Sequence, residues 1–211
     1  MKKILLIGDS IRAGYDKYVK MAFDGVAEVT FPKENCRFAS YVLRELTTWK
    51  KQYCGDEDVD LVHWNAGLWD CLTMLDEKHL TPLDVYKDYI ERDCIVIKKL
   101  FPKAKMIFAT STPVQEHLFG AMKRFNSDIE AYNAAATEIV KAHGGEINDL
   151  YTLMCAQPAE YHSDMTHYYT KDGTRVITDQ VIAHIENALD IKAKKLDYDA
   201  LFSDKKDIVG I

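Results

Sequence analysis

Long apolar runs are missing from this chain of 211 residues. No segment approaches the roughly 20 residues that a helix needs to span a bilayer, so a membrane partner is not expected. Basic charge is also scarce: 27 Lys and Arg stand against 33 Asp and Glu, for a net charge of −6. Without a cationic excess, nucleic acid is excluded as an expected partner. Met1-Lys2-Lys3 leads into only four strongly apolar residues before Gly8-Asp9. That is too few for the core of a secretory signal, and the expected compartment is the cytoplasm. The five Cys (36, 54, 71, 94 and 155) form no Cys-x-x-Cys pair and share no spacing, which argues for reduced thiols rather than a disulfide framework or a zinc site. Neither a Gly-Lys-Ser/Thr phosphate loop nor a Gly-x-Ser-x-Gly elbow occurs. No cofactor and no metal are expected.

What is present suits one compact domain, with 47% hydrophobic and 28% charged residues. Short apolar runs alternate with helical spacing. The pattern predicts strands over 3–7, 26–31, 59–65, 105–110 and 146–148. Between and after them it predicts helices over 11–23, 38–53, 82–100, 124–143 and 172–189. Strands separated by helices in this rhythm predict an α/β fold, a parallel sheet with helices on both faces. Residues 1–195 read as a single domain. The tail from 196 to 211, with Tyr198, Leu201, Phe202 and Ile208 among Asp and Lys, reads as an extension.

The chemistry concentrates at two places. Gly8-Asp9-Ser10 follows the apolar run Ile4-Leu5-Leu6-Ile7, and the carboxyl ends of parallel strands form the ligand crevice of open α/β sheets. A Ser offered there is a candidate nucleophile, although Asp and Ser are also common turn and helix-cap residues. Near the other end, His162-Ser163-Asp164-Met165-Thr166-His167 places Asp164 and His167 three apart. A carboxylate in that position can take the Nδ1 proton of His167 and leave Nε2 for Ser10, the division of labour in a catalytic triad. The competing reading is a polar loop that caps the last helix. His162 is the rival base, and Cys36 a buried small residue near the site.

In three ordered blocks the chain resembles the SGNH (GDSL-like) hydrolase superfamily. The blocks are Gly8-Asp9-Ser10, a partial match at Gly67-Leu68-Trp69-Asp70, and Asp164-Met165-Thr166-His167. The resemblance runs from residue 3 to about 190. It implies a three-layer, flavodoxin-like α/β/α fold with strand order 2-1-3-4-5, and ester hydrolysis through an acyl-enzyme. By that resemblance Ser10, Asp164 and His167 are catalytic, and Asp9, Gly67 and Asp70 support the loops. Two positions depart from the family pattern. Trp69 stands where the family has the Asn whose amide helps hold the oxyanion, and Asn65, in Trp64-Asn65-Ala66-Gly67, is expected to take over that role. Arg37 stands where the family has a Gly whose backbone N–H is a second donor; any residue but Pro keeps that N–H. The expected oxyanion donors are therefore Ser10, Arg37 and Asn65.

The expected partner is a small-molecule ester, with an acetyl ester on a carbohydrate as the leading substrate. A lysophospholipase or thioesterase is the alternative within the same chemistry. A non-catalytic, flavodoxin-like protein using the Gly8–Gly14 loop for an anion is the alternative outside it.

Overall fold

The computed structural model describes residues 1–203. Ile208 and the rest of the expected tail beyond 203 lie outside the described residues. Five strands, β1 (Lys2–Ile7), β2 (Ala27–Thr30), β3 (Leu61–Trp64), β4 (Lys105–Ala109) and β5 (Glu146–Asn148), form one sheet in the order 2-1-3-4-5. All four pairings are parallel. Ile4 to Ile7 have no solvent exposure, because helices cover both faces of the central strand. That is why β1 reads as a continuous apolar run rather than an alternating one.

The long helices are α1 (Ser10–Ala22), α2 (Ala39–Trp49), α3 (Leu83–Leu100), α4 (Asn126–Ala142) and, after the short α5 (Leu150–Cys155), α6 (Lys171–Leu189). Helix α1 packs beside α6, while α2, α3 and α4 form the other layer. The sequence pattern carries α2 on to Tyr53; the regular α-helix instead stops at Trp49 and continues as a π-helical turn over Lys50–Cys54, ended by Gly55. The first part of the tail forms α7 (Tyr198–Leu201). Tyr198 donates its hydroxyl to Asp179 on α6 at 2.9 Å, and Phe202 stacks on Tyr18 of α1.

Two features of this framework position the crevice. Order 2-1-3 means that the chain turns to opposite sides of β1, so the gap beyond β1 and β3 is the topological switch point. Residues immediately after Ile7 and Trp64, which are register partners, therefore face each other across it. In addition, α1 and α6 pack together, which brings the loop before α6 to the start of α1.

Among the described residues, the core holds a carboxyl with neither oxygen bonded. Asp93 on α3 is fully buried, and neither oxygen has a hydrogen bond. Burial, reinforced by the charge of Asp70, raises its pKa well above the carboxylate range. A raised folded-state pKa means that stability is lost as pH climbs from the unfolded value, about 4, toward the folded one. Leu has the branching of Asp without its polarity. Asp93→Leu should therefore melt above the wild type, with the gap widening as the pH rises above about 4. A gap that stays constant with pH would mean that the carboxyl is compensated in solution.

Candidate active site

Ser10 is placed by a tight passage from strand to helix. Asp9 caps α1, its Oδ1 accepting the Ile11 N–H at 2.9 Å, so Ser10 is the first residue of the helix. Its own N–H belongs to the free donors of a helix N-terminus, where the helix dipole favours negative charge. Gly8 fixes the passage from both sides. Its carbonyl accepts from Arg12 Nε at 3.3 Å, Arg12 Nη2 at 3.1 Å and the Cys36 N–H at 3.0 Å. Arg12 is almost fully buried, pairs with Asp16 and donates to the Glu34 carbonyl at 2.6 Å. It thus ties the loop after β1 to the loop after β2.

The second motif closes over Ser10 from the far end of the chain. Asp164 Oδ1 accepts the N–H groups of Thr166 at 2.7 Å and His167 at 2.8 Å, while Oδ2 lies 2.8 Å from His167 Nδ1. His167 Nε2 is 2.8 Å from Ser10 Oγ. The carboxylate partner assigns the imidazole proton to Nδ1 and leaves Nε2 as the acceptor for the serine hydroxyl. Burial works to raise the pKa of Asp164, but the two amides and the imidazole outweigh it and hold the carboxyl below its ordinary value. Ser10 is 9% exposed, and the His167 side chain 17%. His162 points elsewhere, its ring tilted against Tyr168 and its ring nitrogens toward the carbonyls of Ala159 and Pro113.

Across the switch point, the Asn65 N–H donates to the Ile7 carbonyl at 3.1 Å, which brings its side chain against Gly8. A Cβ on Gly8 would sit 1.9 Å from Asn65 Oδ1. Asn65 is 4% exposed, and its Oδ1 has no hydrogen-bond partner. Its amide lies beside Asp9. Burial raises the pKa of Asp9, opposed by the Asn65 amide, the Ile11 N–H and the charge of Arg124. No hydrogen bond closes between the Asn65 and Asp9 side chains, and Asp9 Oδ2 is unpartnered.

Gly67 and Asp70 shape the next loop. Gly67 has φ +139, and a Cβ there would come within 3.0 Å of the Ser111 and Tyr86 hydroxyls, so only Gly fits. Asp70 accepts the Ala39 N–H at 3.1 and 3.3 Å, anchoring this loop to the start of α2. Burial pushes its carboxyl up to about 6.

Arg37 departs from expectation. Its φ of 51 is the left-handed conformation that favours Gly. Its N–H is committed to Asn35 Oδ1 at 2.8 Å, and its exposed guanidinium lies over the Tyr41 ring. The short polar side chain of Asn35 has captured the amide that was expected to face the oxyanion.

Sequence reasoning missed Arg12 and Tyr169. Tyr169 stacks on His167 with ring centroids 4.7 Å apart, and its hydroxyl donates to the Ser10 carbonyl at 2.7 Å. It fits because Gly14 has no Cβ, which would lie 2.7 Å from Tyr169 Cε1. Gly14 and an aromatic two residues after His167 both stand in the sequence, but no spacing pairs them before the chain folds.

No protein-family model matches the chain, and no curated protein is significantly similar to it in sequence. Solved structures do match in three dimensions. The lipase/acylhydrolase from Enterococcus faecalis superposes with a TM-score of 0.68 at 21% identity, covering 93% of this chain and 100% of that one. A GDSL-like lipase from Bacteroides thetaiotaomicron gives 0.68 at 19% identity over 89% of each. The acetyl xylan esterase AlAXEase gives 0.66 at 16%, covering 87% of this chain and 99% of that one. The chain has the SGNH (GDSL-like) hydrolase fold.

If Tyr169 positions both Ser10 and His167, its variants should grade the reactivity of Ser10. Removing one hydrogen bond in Tyr169→Phe should slow fluorophosphonate labelling by about 2- to 10-fold. Tyr169→Ala, which also loses the stacked ring, should slow it further at an unchanged melting temperature. Equal labelling rates in all three proteins would reduce Tyr169 to packing.

Proposed function

We propose that the protein is a serine esterase of the SGNH type that cleaves small-acyl carboxylic esters, with acetyl groups on a carbohydrate as the leading substrate. The observation that carries this reading is the continuous chain Asp164 Oδ2–His167 Nδ1, His167 Nε2–Ser10 Oγ, each link 2.8 Å. Three side chains drawn from residues 10 and 164–167 meet in the order and spacing that hydroxyl activation needs.

In this reading His167 Nε2 takes the Ser10 hydroxyl proton as Oγ bonds to the ester carbonyl carbon. The imidazolium, steadied by Asp164, then gives that proton to the departing alcohol oxygen, leaving an acyl-serine. Water deprotonated by the same nitrogen then bonds to the acyl carbon, and the imidazolium returns the proton to Ser10 Oγ as the C–Oγ bond breaks and the acid departs. The oxyanion of each tetrahedral intermediate is held by the Ser10 N–H at the helix terminus and by the Asn65 amide. Asp9, Gly67 and Asp70 shape the loops that hold these donors. Arg37 is left out of the donor set because Asn35 occupies its N–H.

A fold shared with an acetyl xylan esterase supports the acetyl preference. One observation favours a second reading with a longer acyl chain, as in a lysophospholipase or thioesterase. Leu118, Met122, Phe125 and Met165 are exposed, and the Gln115 N–H donates to the Met165 carbonyl beside the triad loop. A series of chromogenic esters from acetyl to octanoyl separates the two: kcat/KM falling with chain length supports the acetyl reading, and rising kcat/KM supports the other. In the same preparation a fluorophosphonate should label Ser10, and an adduct on Ser111 or Ser163 would sink the mechanism.

Asn65 has its own test. Losing one side-chain oxyanion donor costs about 2.7–4 kcal/mol of transition-state stabilisation, or about 10²–10³ in kcat. Asn65→Ala should lose kcat on that scale with KM nearly unchanged. A lowered melting temperature with normal turnover would make Asn65 a structural amide.

A further inference from the structure

Arg124 lies on the segment between β4 and α4, outside the three sequence blocks. Its Nε donates to the Leu68 carbonyl at 2.5 Å, on the loop that runs from Asn65 to Asp70. No carboxylate among the described residues lies within ion-pair distance of it. The side chain is half-buried, and burial lowers its pKa. Its charge works to lower the pKa of Asp9, the residue before Ser10. The guanidinium carbon lies 5.9 Å from the centre of the Phe119 ring, and a cation partly withdrawn from water with no carboxylate in ion-pair contact is uncommon in folded proteins.

The backbone around it is fixed. Thr73 and Lys123 exchange both backbone hydrogen bonds, at 2.8 and 3.0 Å, and the Asn126 side chain is clamped to both backbone groups of Val114. The guanidinium is thus held with one edge on Leu68 O, and no other acceptor among the described residues is bonded to it. An unpaired guanidinium fork is built for a carboxylate or phosphate.

We infer that Arg124 is an anion-recognition residue of the crevice, and that the preferred substrate is an ester carrying a negatively charged group, which the Arg124 guanidinium binds while Ser10 reaches the ester carbonyl. This deepens the esterase reading and rests on it for the position of the ester. The anion belongs to the alcohol half or to the acyl half, and the test separates them.

Binding comes first, because it does not depend on turnover. With the full chain carrying Ser10→Ala, calorimetric titration should show 3-acetoxybenzoate or monophenyl succinate binding more tightly than neutral phenyl acetate. The expected ratio is about 10- to 100-fold, the scale of a charge-assisted hydrogen-bond pair. Adding Arg124→Gln should collapse that ratio toward one, and Arg124→Lys, a point charge without the fork, should keep part of it. The same three esters are then used for kcat/KM with the Ser10 enzyme. Preference for 3-acetoxybenzoate puts the anion on the alcohol, and preference for monophenyl succinate puts it on the acyl group. Phenyl acetate turned over as well as both anionic esters, with equal binding, overturns the role of Arg124 and leaves the esterase reading intact. Failure to turn over any ester overturns the esterase reading, and the binding ratio still decides Arg124. Should Arg124→Gln fold poorly after losing its bond to Leu68, the Lys variant carries the comparison. A Lys variant with the full wild-type ratio would show that charge alone, without the fork, does the recognising.

Discussion

The site depends on the close approach of two backbones at Gly8. Parallel pairing of Ile7 with Trp64 brings residue 8 opposite residue 65, and only a residue without Cβ lets the Asn65 side chain lie across it. The Gly8 carbonyl, meanwhile, gathers three donors from Arg12 and Cys36. These bonds fix the direction in which the chain leaves β1, and with it the place of Ser10 on α1. A shift of β3 by one residue would turn Asn65 to the opposite face of the sheet. The fully buried β1 and β3 make such a shift expensive.

From that fixed point the remaining geometry follows by contact between distant segments. Helix α6 packs against α1, and the loop preceding α6 is laid over the start of α1 by Tyr169, wedged against Gly14 and bonded to the Ser10 carbonyl. The same ring lies flat on His167. Asp164 then needs only its own local loop, since all its partners lie within three residues. The long-range part of the Ser10–His167–Asp164 chain is thus a helix–helix contact, and the short-range part is a turn.

This division explains what was legible. The order of strands and helices could be read because each buried strand carries its own apolar run and each helix its own stripe. The meeting of Ser10, Asp164 and His167 could be anticipated because each lies in a local motif whose chemistry is recognisable. Asn65 stood out as a polar residue at the end of an apolar strand. Arg37 was misjudged because a backbone donor is available only if nothing nearby takes it, and Asn35 does so through a turn that no spacing rule signals. Arg12 and Tyr169 were missed for a related reason. Their partners are a carbonyl at position 34, a carbonyl at position 10 and a vacancy at Gly14, relations that exist only after folding. The π-helical turn after Trp49 left no mark in the periodicity.

The carboxylates divide into two kinds, and the division bears on the chemistry. Asp164 is 43% exposed at its side chain and is held down by donors, so it keeps its negative charge where the imidazole needs it. Asp9 and Asp70 are fully buried, and burial pushes their pKa values up, so burial works against negative charge on Asp9, the neighbour of Ser10. An oxyanion forming at Ser10 would be repelled by a fixed charge on Asp9. The protein answers with the unpaired donors of the α1 terminus, the Asn65 amide beside that carboxyl, and the nearby charge of Arg124. Donors fixed before the reaction need not reorganise when negative charge develops, which is how a preorganised site lowers a barrier. The crevice is therefore biased toward stabilising negative charge, and the carboxyl whose pKa is held down, Asp164, lies behind the imidazole, separated from Ser10 Oγ by the width of that ring.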